Sequence, residues 1–290
     1  MAISKRQAAI RRRRKFIILS LLSVVLVITV GILGITALIN KFSTPDDSQQ
    51  SSSNSLSSNA SSSTANNDVS SVPANKDTYN PANKQMINVG GVELDANFRR
   101  VALINAKNPL PDNYDKDIRA SLVTVDANLR NNNYVTDIHK DVYPYITAMV
   151  KAAQADGVNL KVWSPFRSYG DQKVLFQNQV NRVNGDEALA ATVVARPGTS
   201  EHNTGLCADF NMADDAFEST PMYNWMVENA EDYGFILRYP KDKTDITGVI
   251  YESWHWRFVG INTAKEMNQL QMTLEEYVEY KNIDWQSELS

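Results

Sequence analysis

One ten-residue stretch of the chain joins a polar loop to a short apolar strand, and it reads Ser200-Glu201-His202-Asn203-Thr204-Gly205-Leu206-Cys207-Ala208-Asp209. Alternation along residues 206–211 predicts a strand in which Cys207 and Asp209 share one face. A half-buried carboxylate such as Asp209 is costly unless it is paired or bound to a metal. His202 lies in the loop just before this strand, so its imidazole and Asp209 are able to converge from different directions.

A second stretch, Glu252-Ser253-Trp254-His255, ends on another of the three histidines in the chain. Two imidazoles and one carboxylate suit Zn²⁺ and leave a fourth position for water, on which Glu252 is placed to act as general base. Glu252 and His255 have opposite parity in an extended strand, so both face one metal only if the chain bends near Ser253. Taken singly, each group has a structural alternative: a hydrogen-bonded Asp209, a loop histidine at 202 and a core histidine at 255.

The segments around these two stretches predict an α+β domain. Helical periodicity and end signals indicate helices over residues 141–156, 168–181, 186–194, 221–233 and 273–280. The end signals include Thr220 as N-cap with Pro221 at the first helical position, and a capping box that begins at Thr273. Strands are predicted over residues 159–164, 206–211, 235–239 and 249–258. We therefore expect an antiparallel or mixed central sheet with flanking helices over residues 86–290.

The first 85 residues differ sharply in composition from the rest. Residues 1–15 carry seven cations and no acid, and residues 16–39 run 24 positions without a charge. A helix of that length spans about 36 Å, which is enough to cross a bilayer. The basic leader should remain in the cytoplasm, which predicts an uncleaved single-pass anchor over residues 16–39, with a cleavable signal peptide as the alternative. Residues 40–85 are rich in serine and asparagine and predict a disordered tether that holds the domain outside the membrane.

The charge balance argues against nucleic acid as a partner. The net charge is −4, but without the seven leader cations 22 basic residues face 33 acidic ones, a net charge of −11. The single cysteine, Cys207, excludes an intramolecular disulfide. Its side chain is either a small hydrophobic residue in the strand or an additional zinc ligand. We interpret His139 as non-functional.

Arg167 is a further candidate for the site. It follows a predicted strand in Ser164-Pro165-Phe166-Arg167-Ser168, with Gln172 five residues later. An arginine at a rigid strand end is suited to clamp a substrate carboxylate through a bidentate pair. The alternative is an ordinary surface arginine.

Four sequence blocks occur in the order found in one peptidase family. They are Ser-Pro-Phe-Arg-Ser-x-x-x-Gln from Ser164, Ser-Glu-His-x-x-Gly-x-x-x-Asp from Ser200, Gly-Phe-Ile-Leu-Arg-Tyr-Pro from Gly234 and Tyr-Glu-x-Trp-His-x-Arg-Phe-Val-Gly from Tyr251. Through them the region from about residue 101 to residue 280 resembles the VanY-type zinc D-alanyl-D-alanine carboxypeptidases (peptidase family M15B), which include L,D-carboxypeptidases of the LdcB and DacB type. The resemblance implies the fold of LAS-type zinc peptidases. Pro165 and Phe166 depart from it, since Gly and Tyr are common there.

The resemblance also implies roles for single residues. Zinc would be held by His202, Asp209 and His255. Glu252 would be the general base, and Arg167 would bind the developing oxyanion or the substrate carboxylate. Four further positions would line the substrate pocket: Ser168, Gln172, Ser200 and Tyr239.

These residues lead us to expect a monomeric, membrane-anchored zinc carboxypeptidase on the cell-wall side. Its substrates would be peptidoglycan stem peptides, from which it would remove the C-terminal D-amino acid. The alternatives within the enzyme class are a D,D-dipeptidase and a peptidoglycan endopeptidase on the same scaffold. The alternative outside it is a non-catalytic wall-binding module with a structural zinc.

Overall fold

A computed structural model describes residues 77–131 and 136–289 of the chain. The predicted leader and anchor, and the tether up to residue 76, lie outside the described residues. Within the described ranges, no helix combines the length and the apolar composition needed to cross a membrane. These ranges form a mixed α+β fold, as predicted.

Antiparallel pairing builds two small sheets and one central sheet. Strand β1 (Met86–Val89) pairs with β2 (Val92–Asp95), and β3 (Leu122–Thr124) pairs with β4 (Asp137–His139). The central sheet contains β5 (Val162–Ser164), β6 (Cys207–Phe210), β7 (Phe235–Leu237) and β8 (His255–Phe258). Its spatial order is β5-β6-β8-β7, with every neighbouring pair antiparallel. The predicted antiparallel central sheet is therefore confirmed.

The helices flank the sheet and alternate with it along the chain. They are α1 (Tyr114–Asp117), α2 (Tyr143–Ala155), α3 (Tyr169–Arg182), α4 (Glu187–Val193), α5 (Pro221–Asn229), α6 (Thr244–Thr247), α7 (Ile261–Leu270) and α8 (Leu274–Tyr280). Short 3₁₀ turns lie at Ile118–Ser121, Ala127–Leu129, Glu201–Thr204, Asp215–Ser219, Ala230–Tyr233 and Trp285–Glu288. Sequence analysis did not predict α7.

Side-chain caps set the starts of several helices, as the sequence predicts. Thr220 accepts a hydrogen bond from the Tyr223 N–H, and Pro221 occupies the first helical position of α5. Thr273 and Glu276 form the predicted capping box at α8. The helix predicted over residues 221–233 is divided, because α5 ends at Asn229 and a 3₁₀ turn continues to Tyr233.

The strand predicted over residues 249–258 is too long. Strand β8 begins only at His255, and residues 249–254 form a loop and a turn. The loop backbone bonds to other segments instead of a strand, since Ile250 N–H donates to Thr192 O and Glu252 N–H donates to Tyr239 O. The strand predicted over residues 159–164 is likewise reduced to its last three residues.

The predicted boundary between tether and domain, at residue 85, lies inside a segment that contacts the domain. The Asp77 carboxylate lies 2.8 Å from a guanidinium nitrogen of Arg99, and Asp77 N–H donates to Asn282 O. The ring of Tyr79 packs edge-on against Phe98, with centroids 5.9 Å apart. These long-range contacts attach Asp77 and Tyr79 to the domain, although the local composition assigns both residues to the tether.

Helix α2 belongs to the main apolar core and contacts β8 of the central sheet. Its Ile146, Met149 and Val150 are fully buried, and the ring of Tyr145 lies 4.7 Å from that of Phe258 in β8. Burying one such aliphatic side chain contributes about 1.5–3 kcal/mol. This packing holds β8 in place, and the first residue of β8 is His255.

A buried ion cluster ties the sheet to the turn before β6 and to α8. Glu201 Oε1 lies 2.7 Å from Arg238 Nε and 2.7 Å from an Arg257 guanidinium nitrogen. Arg238 also makes a two-point contact with Glu275 in α8, at 2.6 and 2.8 Å. Both arginines are fully buried. Burial alone raises the pKa of Glu201, but the two guanidinium groups hold it well below its ordinary value.

Removing the charge of Glu201 is expected to destabilise the domain strongly. Glu201→Gln leaves two buried arginines short of a carboxylate, which costs about 3–5 kcal/mol in the free energy of unfolding. The control, Glu218→Gln, removes the charge of a solvent-accessible carboxylate that pairs with Lys241 and should cost less than about 1 kcal/mol. Urea unfolding of both variants measures the difference. Equal stability of the two variants would contradict the role given to the cluster.

Candidate metal centre

Strands β6 and β8 bring the three predicted metal ligands together. Asp209 is the direct partner of His255 across the two strands, and His202 comes from the 3₁₀ turn before β6. Asp209 Oδ1 lies 3.2 Å from His255 Nδ1 and 3.5 Å from His202 Nε2. All three side chains are buried.

In each imidazole, the ring nitrogen that does not face Asp209, here called the outer nitrogen, has its own hydrogen-bond acceptor. His202 Nδ1 lies 2.7 Å from the carbonyl oxygen of Pro165, and His255 Nε2 lies 3.4 Å from Glu201 Oε2. In the tautomer that donates to these oxygens, the lone pair of the other ring nitrogen faces Asp209. Metal-binding histidines are held in this way.

The distances between the donors fit a zinc ion. Zinc bonds of 2.0–2.2 Å in tetrahedral geometry separate neighbouring donor atoms by about 3.3 Å. The 3.2 and 3.5 Å separations from Asp209 Oδ1 lie close to this value without rearrangement. His202 Nε2 and His255 Nδ1 are therefore each at a suitable distance to share a zinc ion with Asp209 Oδ1.

The electrostatics of the cluster favour a cation. Burial by itself lowers the pKa of His202, but the neighbouring Cys207 and Asp209 raise it to about 9. Burial raises the pKa of Cys207, yet the imidazoles of His202 and His255 lower it to about 7. A ring nitrogen of each histidine and the Cys207 sulfur all lie within 4.8 Å of one another.

Glu252 lies beside the three donors through a turn in the chain. Ser253 and Trp254 form this turn, and His255 N–H donates to Glu252 O. The bend that the sequence required near Ser253 is therefore present, and Glu252 Oε2 lies 3.8 Å from His255 Nδ1. Burial raises the pKa of Glu252 to about 7, although His255 opposes the shift. A carboxyl group with this pKa is suited to exchange a proton near neutral pH.

Arg167 is a fixed cation at the edge of the cluster. Its guanidinium lies 2.9 Å from Gln172 Oε1, 3.0 Å from Ser164 Oγ and 3.8 Å from Asp209 Oδ2. Its backbone N–H donates to His202 O, which ties it to the turn before β6. Because the side chain remains 19% exposed, it is available to an anionic ligand.

The four other residues predicted to line the substrate pocket differ from one another in what their side chains contact. The Tyr239 ring lies 5.0 Å from the His255 ring, beside the cluster. Ser168 caps α3, and its hydroxyl donates to Asp171. The Gln172 amide is used within the protein, by Arg167 and by Ala195 O. Ser200 is buried at the start of the 3₁₀ turn, and its side chain does not cap that turn.

Sequence reasoning gave no role to Glu201, although this carboxylate contacts the outer nitrogen of His255. A signal was present, because Arg238 and Arg257 each lie within apolar strand sequence. A buried arginine needs a carboxylate partner. The sequence did not show which acid provides it, since Glu201 is 37 and 56 residues away from these arginines.

Comparisons with known proteins agree on one family. Residues 135–261 match the model of the VanY family, D-alanyl-D-alanine carboxypeptidase. The putative carboxypeptidase YodJ of Bacillus subtilis (strain 168) is 40% identical over 200 residues, which are 66% of this chain and 71% of that protein.

Two solved structures are similar over most of their length. The LdcB LD-carboxypeptidase is 38% identical, with a TM-score of 0.57, and the match covers 68% of this chain and 94% of that one. A mutant of the vancomycin-resistance D,D-pentapeptidase VanY in complex with Zn(II) is 37% identical, with a TM-score of 0.51, over 62% of this chain and 98% of that one. The family that the four sequence blocks predict is thereby confirmed, and the chain belongs to the VanY family of D-alanyl-D-alanine carboxypeptidases.

Proposed function

We propose that this protein is a zinc carboxypeptidase that removes the C-terminal D-amino acid from peptidoglycan stem peptides. The observation that carries the proposal is the donor triangle of His202, Asp209 and His255 with Glu252 beside it. A VanY structure that contains Zn(II) supports the choice of metal. Three protein donors leave a coordination position open for chemistry.

We assign the metal to His202 Nε2, Asp209 Oδ1 and His255 Nδ1. A zinc ion bound there supplies Lewis acidity, which lowers the pKa of water and polarises a carbonyl group. The carbonyl of Pro165 and the carboxylate of Glu201 hold the two imidazoles in the required orientation.

We assign proton transfer to Glu252. Its carboxylate takes a proton from the attacking water and delivers it to the leaving amine. Burial raises the pKa of this carboxyl group, which favours delivery of the proton to the leaving amine. Its position in a turn directly before the metal ligand His255 keeps it beside the reacting atoms.

We assign recognition of the substrate's negative charge to Arg167. A carboxypeptidase substrate ends in a carboxylate, and a guanidinium pairs with it in a charge-assisted contact. Gln172 acts indirectly, because its side chain positions that guanidinium. Ser168, Ser200 and Tyr239 form the neighbouring pocket wall in this proposal.

Two related enzymes cut different kinds of bond but share a D-configured residue at the bond. LdcB is described as an LD-carboxypeptidase and VanY as a D,D-pentapeptidase, and this chain is 38% and 37% identical to them. Each name specifies a D-configured residue at the bond that is cut. We therefore propose release of one C-terminal D-amino acid, D-alanine, as the reaction.

We also propose a location for this activity. The basic leader at 1–15 and the uncharged run at 16–39 support a single-pass anchor with the N-terminus in the cytoplasm. The serine-rich segment that follows supports a tether that holds a monomeric catalytic domain on the cell-wall side.

Glu252→Gln is expected to retain zinc and lose most hydrolysis. The amide keeps the shape of the side chain but does not accept the proton, so turnover should fall about 10²- to 10⁴-fold. Metal analysis and release of free D-alanine from muropeptides measure the two properties. The exposed Glu279→Gln is the matched control and should behave as wild type. Wild-type turnover by Glu252→Gln would refute the assignment, and release of a dipeptide or a larger fragment would favour a dipeptidase or an endopeptidase.

Arg167→Met is expected to abolish discrimination between substrates with free and with amidated C-termini. In the wild type, amidation removes the charge that Arg167 contacts, so kcat/KM should fall about 10²-fold or more. Arg167→Met should show a similar loss on the free acid and little further loss on the amide. The exposed Arg182→Met is the control. If Arg167→Met still prefers the free acid as strongly as wild type, another group recognises the carboxylate.

A further inference from the structure

The metal centre contains a fourth potential donor beside the three assigned ligands. The Cys207 sulfur and a ring nitrogen of each of His202 and His255 lie within 4.8 Å of one another. All three residues are buried, and Cys207 is fully inaccessible. Cys207 is the only cysteine in the sequence, so a disulfide does not account for it.

Cys207 lies on the face of β6 opposite to the one that packs into the main apolar core. Leu206, Ala208 and Phe210 all belong to the main apolar core, whereas Cys207 belongs to none of the apolar clusters of the described residues. Strand alternation instead places Cys207 on the face of Asp209. Its sulfur therefore lies among polar groups, in a strand whose other face is apolar.

Cys207 reaches the cluster from the protein interior. Its strand partner in β8 is the fully buried Arg257. Glu252 and Arg167 lie on the accessible side, with side chains 12% and 19% exposed. A sulfur ligand from the inner side would leave the outer side to water or substrate as a fifth ligand, since catalytic zinc is able to expand from four to five ligands.

We propose that Cys207 Sγ is a direct ligand of the metal in this protein, in addition to His202, Asp209 and His255. Thiolate sulfur binds zinc at about 2.3 Å and favours soft metals over oxygen-preferring ones such as Mg²⁺ and Mn²⁺. The inference rests on the proposed zinc site. Its consequence is a mixed nitrogen, oxygen and sulfur ligand set that releases zinc slowly.

X-ray absorption at the zinc edge tests the ligand directly. Zinc-loaded wild-type protein should show a sulfur shell at about 2.3 Å, and Cys207→Ala should show only nitrogen and oxygen at about 2.0–2.2 Å. Substitution by cobalt gives a second spectroscopic readout, since a thiolate-to-cobalt charge-transfer band should be present in wild type and absent in Cys207→Ala. A wild-type spectrum without sulfur would overturn the proposal.

The rate of zinc release supplies an independent measurement. Loss of an indirect partner of a ligand already lowers metal affinity 10- to 100-fold, so loss of a direct ligand should speed release to a chelator at least about tenfold. Cys207→Ser tests sulfur against a polar group of similar size, and circular dichroism checks that both variants fold. Unchanged release from Cys207→Ala would contradict the inference.

The sulfur ligand and the carboxypeptidase activity are tested by different measurements, so one can fail without the other. Zinc without a sulfur shell, together with normal D-alanine release, would overturn the ligand and leave the carboxypeptidase assignment in place. A sulfur shell without hydrolysis of any stem peptide would support the ligand and overturn the assignment.

Discussion

The pairing of β6 with β8 is the constraint on which the site depends. Its register places Asp209 directly opposite His255, so the two donors are neighbours before any metal is considered. The rest of the domain holds this register in place. Helix α2 packs against β8 through the apolar core. The Glu201 carboxylate pairs with Arg257 and so links β8 to the 3₁₀ turn that contains His202.

The buried ion cluster links stability to function. Glu201 uses one carboxylate oxygen for the two arginines and the other for the outer nitrogen of His255. The same side chain therefore neutralises two buried cations and orients a metal ligand. A residue of this kind is expected to be intolerant of substitution for two separate physical reasons, the cost of unpaired buried charge and the loss of imidazole orientation.

The sequence predicted the parts of the fold that depend on local signals. The caps at Thr220 and Thr273 set helix starts, and alternation along β6 placed Cys207 and Asp209 on one face. The four family blocks also contain five residues whose side chains the structure places close together: Arg167, His202, Asp209, Glu252 and His255. Sequence patterns failed where distant segments decide the outcome. Residues 249–251 have strand-like composition, yet the backbone N–H of Ile250 donates to Thr192 O in α4 and not to a neighbouring strand.

The positions of Glu201 and Cys207 show the same limit within the site. Nothing local distinguishes Glu201 from a solvated acid, because Arg238 and Arg257 reach it only through tertiary folding. Cys207 was open to two interpretations from spacing alone. Its proximity to both imidazoles became visible only in three dimensions.

Zinc titration of the metal-free protein tests the central claim most directly. D-alanine release from a muropeptide should be absent in the chelated protein, rise in proportion to added zinc and level off at about one equivalent, as expected for a single site. Full activity in the chelated protein, or stoichiometric zinc binding without any product, would contradict the account.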